Sequence, residues 1–312
     1  MTKIDIRNTD ALSEFATFKD GSVDLIIADP PYNLGKDYGN SSDNRTKEEY
    51  IAFTRLWLKE AVRVLKDNGT IYIFMGVRFI SRLYVVLEDE FELNFNSWIV
   101  WHYTQGMGKT KGFSPRHDDI LMFTKGNKPC FNLDDVRIPQ KFYRQRNNMR
   151  GANPGDVWEF SHVHYSNPNR KPHPTQKPEG LIERLVLASS NKNDVVLDPF
   201  SGSGTTARVC QQLERNFVGF ELNSEYVEMT KERLTADFKS FDSIDPRSKR
   251  VPNDLRKEDI RNEYLKSHIL WFLDHHENAY DEFRKNVMEK YGIDIRKLES
   301  NNFTSLDLFS EK

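Results

Sequence analysis

Along the first 240 residues, short apolar runs alternate with longer stretches whose apolar residues recur at helical spacing. Val23-Asp-Leu-Ile-Ile-Ala28, Thr70-Ile-Tyr-Ile-Phe-Met75, Ser97-Trp-Ile-Val-Trp101, Ile120-Leu-Met-Phe-Thr124, Val195-Val-Leu197 and Phe217-Val-Gly-Phe220 are rich in β-branched and aromatic residues. With the shorter Lys3-Ile-Asp-Ile6 they predict seven strands. Between them, Glu48 to Leu65 carries Tyr50, Phe53, Trp57, Leu58, Ala61, Val62 and Leu65 at three- and four-residue steps, the period of an amphipathic helix. Phe79 to Leu87, Glu179 to Ser189, Thr205 to Leu213 and Asn223 to Phe238 predict further helices. A brief one opens near Asn8-Thr-Asp-Ala-Leu12, where Asp10 has the character of a cap.

Three stretches break the rhythm. Residues 33–47 form a polar loop, and His102 to Asp119 has neither period but carries Gly106, Gly108, Lys109, Lys111 and Arg116. From Arg137 to Lys171 the chain is irregular and basic, with Arg137, Lys141, Arg144, Arg146, Arg150, Arg170 and Lys171 against Asp156 and Glu159. Tyr143, Trp158, Phe160, His162, His164 and Tyr165 are interleaved. A solvated loop is the plain reading. The mixture also suits nucleic acid, cations meeting phosphates and ring faces meeting unstacked bases. Ser243 to Arg261 reads as a charged linker with Pro246 and Pro252, followed by helical pieces at Asn262 to Asp274 and Ala279 to Tyr291.

The chain has 312 residues, 38% apolar and 29% charged, with a net charge of −2. That length accommodates one large domain or two small ones. The net charge excludes a polycation, so any nucleic-acid surface must come from local clustering. No apolar run approaches the ~20 residues that span a bilayer, and Met1-Thr-Lys-Ile-Asp-Ile lacks the apolar core of a signal peptide. Cys130 and Cys210 make no disulfide or metal framework, so a reducing cytoplasm is the expected setting without a membrane partner. His162 and His164 lack the companions of a metal's first shell, so no metal is expected.

Two stretches carry candidate chemistry. Asp198-Pro-Phe-Ser-Gly-Ser-Gly-Thr-Thr206 joins a predicted strand to a predicted helix, with glycines that let a ligand approach the backbone and a helix start that offers free N–H donors. Glu221, at the end of the next strand, could accept both hydroxyls of a ribose. The spacing departs from G-x-G-x-x-G, and an ordinary tight turn would account for the glycine pair alone. Far upstream, Asp29-Pro-Pro-Tyr32 ends the Val23 strand; two prolines stiffen the loop, and loops at the carboxyl end of parallel strands hold the sites of α/β folds.

Together with Lys171-Pro-His-Pro-Thr-Gln-Lys-Pro178, these motifs resemble the β class of DNA amino-methyltransferases over roughly residues 3–240, with the catalytic motif first and the cofactor motif last. The resemblance implies an α/β fold: a seven-stranded, mostly parallel sheet with helices on both faces, circularly permuted so that the Asp198 and Asp29 loops lie side by side. It implies a catalytic domain over 1–242, a target-recognition insert at about 102–170, and a linker and helical extension over 243–312. S-adenosyl-L-methionine is the cofactor it implies, leaving as S-adenosyl-L-homocysteine, with no metal. Phe200, Gly202, Ser203, Gly204 and Thr205 would wrap the methionine moiety beside Asp198, and Glu221 with Leu222 would hold the ribose. Asp10 and Ala11 would lie near the adenine, with Lys177 and Pro178 closing the site.

By the same resemblance, Asp29, Pro30, Pro31 and Tyr32 are catalytic. The Asp29 carboxylate and the Pro30 carbonyl accept hydrogen bonds from the target amine, and Tyr32 stacks on a base turned out of the duplex. Lys109, Lys111, Arg116, Arg137, Lys141, Arg144, Arg146 and Arg150 are the expected contacts to double-stranded DNA. Asp as the first motif residue favours adenine N6 over cytosine N4. A restriction-modification setting adds a cognate endonuclease and a homodimer to the expected partners. A dinucleotide-binding oxidoreductase would explain Gly202, Gly204 and Glu221 but not Asp29 to Tyr32. A binding module without activity would explain the basic insert and leave both site motifs idle.

Overall fold

All seven predicted strands form, and an eighth joins them. In the computed structural model, which describes residues 2–35, 43–104, 106, 108–138, 152–163, 170–238, 241, 285 and 289, the strands make one sheet in the order β1-β8-β7-β2-β3-β5-β4-β6. They are β1 (Ile4–Asn8), β2 (Val23–Ala28), β3 (Leu65–Met75), β4 (Asn94–His102), β5 (His117–Thr124), β6 (Val157–Glu159), β7 (Val195–Asp198) and β8 (Asn216–Glu221). Only the two pairings of β5, with β3 and with β4, are antiparallel. The late strands β7 and β8 lie between the early β1 and β2, with Leu25 opposite Val196 and Ile26 opposite Leu197. This is the permuted order, and it brings the chain ends of β2 and β7 together.

The eighth strand corrects the expected count. Val157-Trp-Glu159 is too short to show a period and lies in the stretch read as irregular. It forms because β4 offers it an open edge: Val100 pairs with Val157, and the Trp101 indole donates to the Phe160 carbonyl at 2.8 Å.

Alternation along β2 divides the core. Ile26 and Ala28 pack with Phe15, Trp57, Ala61 and Leu83, the contributions of α1 (Ala11–Phe15), α2 (Lys47–Val64) and α3 (Ile80–Val85). Leu25 and Ile27 face the other way, toward Leu181 and Leu185 of α5 (Glu179–Ser189) and Ala207 and Cys210 of α6 (Thr205–Gln212). A Thr46–Glu49 capping box starts α2, and α3 passes into a single π-helical turn over Val86–Glu90. The last helix on the sheet, α7 (Ser224–Thr235), is tied to α5 by a buried Arg233–Glu179 ion pair at 2.6 Å.

The chain divides into two compact units, Met1–Asn132 with Gly155–Arg247, and Leu133–Pro154 with Ser248–Lys312. The first holds the sheet. In the second, the short α4 (Leu133–Val136) is followed by a bridge between Ile138 and Ala152. Lys141, Arg144, Arg146 and Arg150, and the predicted linker and terminal helices (Lys285 and Glu289 excepted), lie outside the described residues.

Candidate active site

Because β2 and β7 are neighbours, the loops that leave their carboxyl ends face one cleft. The first loop is held from three sides. The Tyr50 hydroxyl, on α2, donates to the Pro31 carbonyl at 2.8 Å. Asn33, at φ +58, accepts the Arg45 N–H at 2.7 Å and donates to the Arg45 carbonyl at 2.8 Å. The Asp43 carboxylate accepts the N–H groups of Asn33 and Leu34 at 2.6 and 3.1 Å. The sequence marks 33–47 only as polar; these reciprocal bonds pin both ends of that loop and so fix where Asp29 to Tyr32 stand.

The second loop is organised by Asp198. Its Oδ1 accepts the Phe200 N–H at 3.0 Å and its Oδ2 accepts the Thr206 hydroxyl at 2.7 Å. Burial pushes the Asp198 carboxyl up to about 7, and the charges of Asp29 and Glu221 add to it. The two glycines serve different ends. Gly202, at φ +51, lines the cleft and donates its N–H to Glu221 Oε2 at 2.8 Å. Gly204, at φ +73, does not line it; a Cβ there would lie 2.3 Å from Thr230 Cγ2. Packing of α7 on the start of α6 therefore demands a glycine at 204.

Glu221 closes the far wall. Its Oε1 accepts the Asn223 N–H at 2.8 Å while Oε2 takes that of Gly202, and burial outweighs these bonds so that its carboxyl is raised. Asp10 caps α1 by accepting the Leu12 and Ser13 N–H groups at 3.0 and 3.3 Å, and it also lines the cleft. The cap and the site are thus one residue.

Opposite them, the Lys177 ammonium reaches Asp29 Oδ2 and stands 5.6 Å from the Tyr32 ring centre and 5.4 Å from that of Phe74. Asp29 Oδ1 is buried with no hydrogen-bond partner. Ser201 Oγ, on the same lining, is another such atom.

Asp10, Ala11, Asp29 to Tyr32, Lys177, Asp198, Phe200, Gly202, Ser203, Thr205, Glu221 and Leu222 line this one cleft, whereas Pro178 and Gly204 do not. The lining adds residues given no role from sequence, His173, Tyr226, Phe53 and Arg45 among them. His173 packs edge-on to Tyr226 at 4.5 Å, and a Cβ on Gly202 would come within 3.1 Å of its Nε2. Its signal was present in the His-Pro-Thr-Gln-Lys-Pro run. Four carboxyl groups (Asp10, Asp29, Asp198, Glu221) face two cations (Arg45, Lys177) in the lining. That balance suits a ligand with positive charge better than the pyrophosphate of a dinucleotide.

Of the expected DNA contacts, Lys109, Lys111, Arg116 and Arg137 are among the described residues. Lys109 and Lys111 are exposed on the β4–β5 loop, whose Arg116 donates to the Pro115 carbonyl at 3.1 Å. Arg137, in the second unit, donates to Asp134 at 2.6 Å, so its charge is locally answered. Among the described residues no group of three His, Cys, Asp or Glu side chains could hold a metal; His162 packs 4.0 Å from Tyr103. No helix of the described residues is long and apolar enough to cross a membrane.

The profile of the DNA methylase family (N6_N4_Mtase) matches residues 23–232. The type II methyltransferase M.HpaI of Haemophilus parainfluenzae is 60% identical over 284 residues, covering 91% of this chain and 90% of that protein. The DNA adenine methyltransferase YhdJ of Escherichia coli (strain K12) is 37% identical over 262 residues, covering 80% and 88%. The crystal structure of an M1.HpyAVI–SAM complex aligns with a TM-score of 0.55 at 27% identity, covering 74% of this chain and 99% of that one.

Proposed function

The chain belongs to the DNA methylase family, and from that premise we propose how its residues perform the reaction. The protein is a site-specific DNA methyltransferase that modifies the exocyclic amine of adenine, at N6, in double-stranded DNA. S-adenosyl-L-methionine supplies the methyl group and leaves as S-adenosyl-L-homocysteine. The fit of this cofactor is supported by the cleft's carboxylate excess, by Glu221 at the end of β8, and by Ser201 Oγ, a buried hydroxyl without a partner. Glu221 and Leu222 hold the ribose. Asp10 and Ala11 lie along the adenine, and Phe200 to Ser203 with Thr205 surround the methionine part.

The observation that carries the catalytic assignment is Asp29 Oδ1, buried on the cleft wall with no partner while Oδ2 is held by Lys177. A buried carboxylate oxygen left open in this way is an acceptor awaiting a donor. The target amine is a poor nucleophile because its lone pair is delocalised into the ring. Asp29 Oδ1 accepts one amine hydrogen and the Pro30 carbonyl the other, which favours a tetrahedral nitrogen with its lone pair exposed. Asp29 stabilises the positive charge that develops there and accepts the proton the nitrogen sheds. The Tyr32 ring supplies a stacking face for the turned-out base. Pro31 acts through the backbone, since its carbonyl is engaged by Tyr50.

Adenine is favoured by the Asp that begins the motif and by the 37% identity to a protein named a DNA adenine methyltransferase. Cytosine N4 is the second reading, because the family profile covers both amines. Residues 1–242 are the catalytic domain, the insert at about 102–170 reads the target, and 243–312 extend it. A homodimer, a cognate restriction endonuclease and a cytoplasmic setting complete the proposal. The test is incubation of duplex DNA with methyl-labelled S-adenosyl-L-methionine, followed by nucleoside analysis. N6-methyladenine is expected. Labelled cytosine alone would move the assignment to N4, and unlabelled DNA would refute the reaction.

A further inference from the structure

The loop from β4 to β5 presents a side chain that the reaction above does not use. Phe113 is 101% exposed, whereas the next most exposed large apolar side chain among the described residues, Val157, is at 69%. A single half-covered apolar side chain on a surface is ordinary; a whole ring held in water on a braced tip is not. The Lys109 N–H donates to Ser114 Oγ at 2.7 Å and closes the tip around Phe113. At the base, the Tyr103 N–H donates to the Arg116 carbonyl at 2.9 Å. The Arg116 guanidinium lies so close to Gly106 that a Cβ there would be 2.8 Å from Nη1. Gly112, at φ +104, provides a backbone turn just before Phe113 that other residues rarely adopt. Exposed Lys109 and Lys111 precede Phe113 on the same tip.

The sheet topology says where this tip stands. β3 runs parallel to β2, β5 is antiparallel to β3, and β4 is antiparallel to β5, so β4 runs the same way as β2. The β4–β5 loop therefore leaves the same edge of the sheet as Asp29, three strand positions away, about 14 Å. That offset is smaller than the width of a DNA duplex.

We propose that Phe113 is a wedge that enters the base stack of duplex DNA beside the target nucleotide and fills the space the base leaves when it turns into the cleft. The inference rests on the DNA methyltransferase reading and deepens it. Lys109 and Lys111 meet the flanking phosphates, and the apolar ring takes the place of a stacked base. Turning a base out forfeits its stacking, and an inserted apolar side chain restores part of what is lost.

The test uses the full-length protein and a duplex carrying the site that the wild type methylates, found by mapping methyl groups on DNA. Wild type, Phe113→Ala and Phe113→Trp are compared on that duplex and on one with an abasic site opposite the target base, where opening costs less. Phe113→Ala is expected to lose on the order of 10- to 100-fold in kcat/KM on the paired duplex and to recover most of it on the abasic one. Phe113→Trp stays near wild type, and all three proteins bind S-adenosyl-L-methionine equally by calorimetry. A Phe113→Ala variant as active as wild type on the paired duplex overturns the wedge alone. So does an equal loss on both duplexes. A wild type that methylates no duplex overturns the underlying reaction and the wedge with it.

Discussion

Lys177 and Asp29 are 148 residues apart in the chain, yet the ammonium of one is bonded to the carboxylate of the other beside the faces of Tyr32 and Phe74. The bond holds one Asp29 oxygen and leaves the other open to the cleft. Asp29→Ala is expected to abolish methyl transfer while leaving most of the affinity for S-adenosyl-L-methionine, since its assigned partner is the target amine. Lys177→Met strands the carboxylate, whose side chain is 21% exposed and so partly relieved by water. A fall in kcat of roughly tenfold to a hundredfold follows. Single-turnover rates alongside calorimetry separate the two effects; an unchanged rate in Lys177→Met would show the ion pair to be dispensable for catalysis.

Glu221 accepts two backbone N–H groups before any ligand arrives, so its position is set in advance. Replacing it with Ala removes a charged acceptor from the proposed ribose contact and should weaken cofactor binding by about 1.5–3 kcal/mol. Equal affinity in a folded variant would remove Glu221 from the site.

Gly204 combines φ +73 with a virtual Cβ 2.3 Å from Thr230 Cγ2. Gly204→Ala therefore meets both backbone strain and a clash, and about 1–3 kcal/mol of stability should be lost. Adding Thr230→Ala removes the two nearest atoms but leaves the Thr230 Cβ at 2.8 Å and the backbone strain, so the double variant should recover part of the deficit in denaturant titrations. No recovery would place the cost in the backbone and that remaining contact.

Asp198 has its carboxyl raised from 3.8 to about 7 by burial, so the folded protein holds that proton more tightly than the unfolded chain. Its contribution to stability is greatest below about pH 4, declines as the pH rises toward 7, and is flat above that. Asp198→Asn retains an acceptor for the Phe200 N–H and a donor for the Thr206 hydroxyl. The variant should gain stability relative to wild type across that window, by a few kcal/mol at most. Unfolding titrations of the ligand-free protein at pH 5 and pH 8 measure it; a difference that does not change with pH would refute the buried ionisation.

Strand and helix periods were enough to predict an α/β sheet, and the resemblance carried by three motifs implied its permuted strand order and most of the residues that line the cleft. Those signals are local: alternation within four to eight residues, a helical stripe, a proline pair, a glycine turn. The tertiary structure decided what depends on neighbours distant in the chain. Val157-Trp-Glu159 became a strand because β4 left an edge open, and Thr230 leaves no room for a Cβ at Gly204. Asn33 and Asp43 tied the described ends of a polar loop together, and Lys177 was assigned to Asp29. A hydrogen bond or a buried charge is satisfied by whichever group lies within about 3 Å, and that group is chosen by which strands lie side by side.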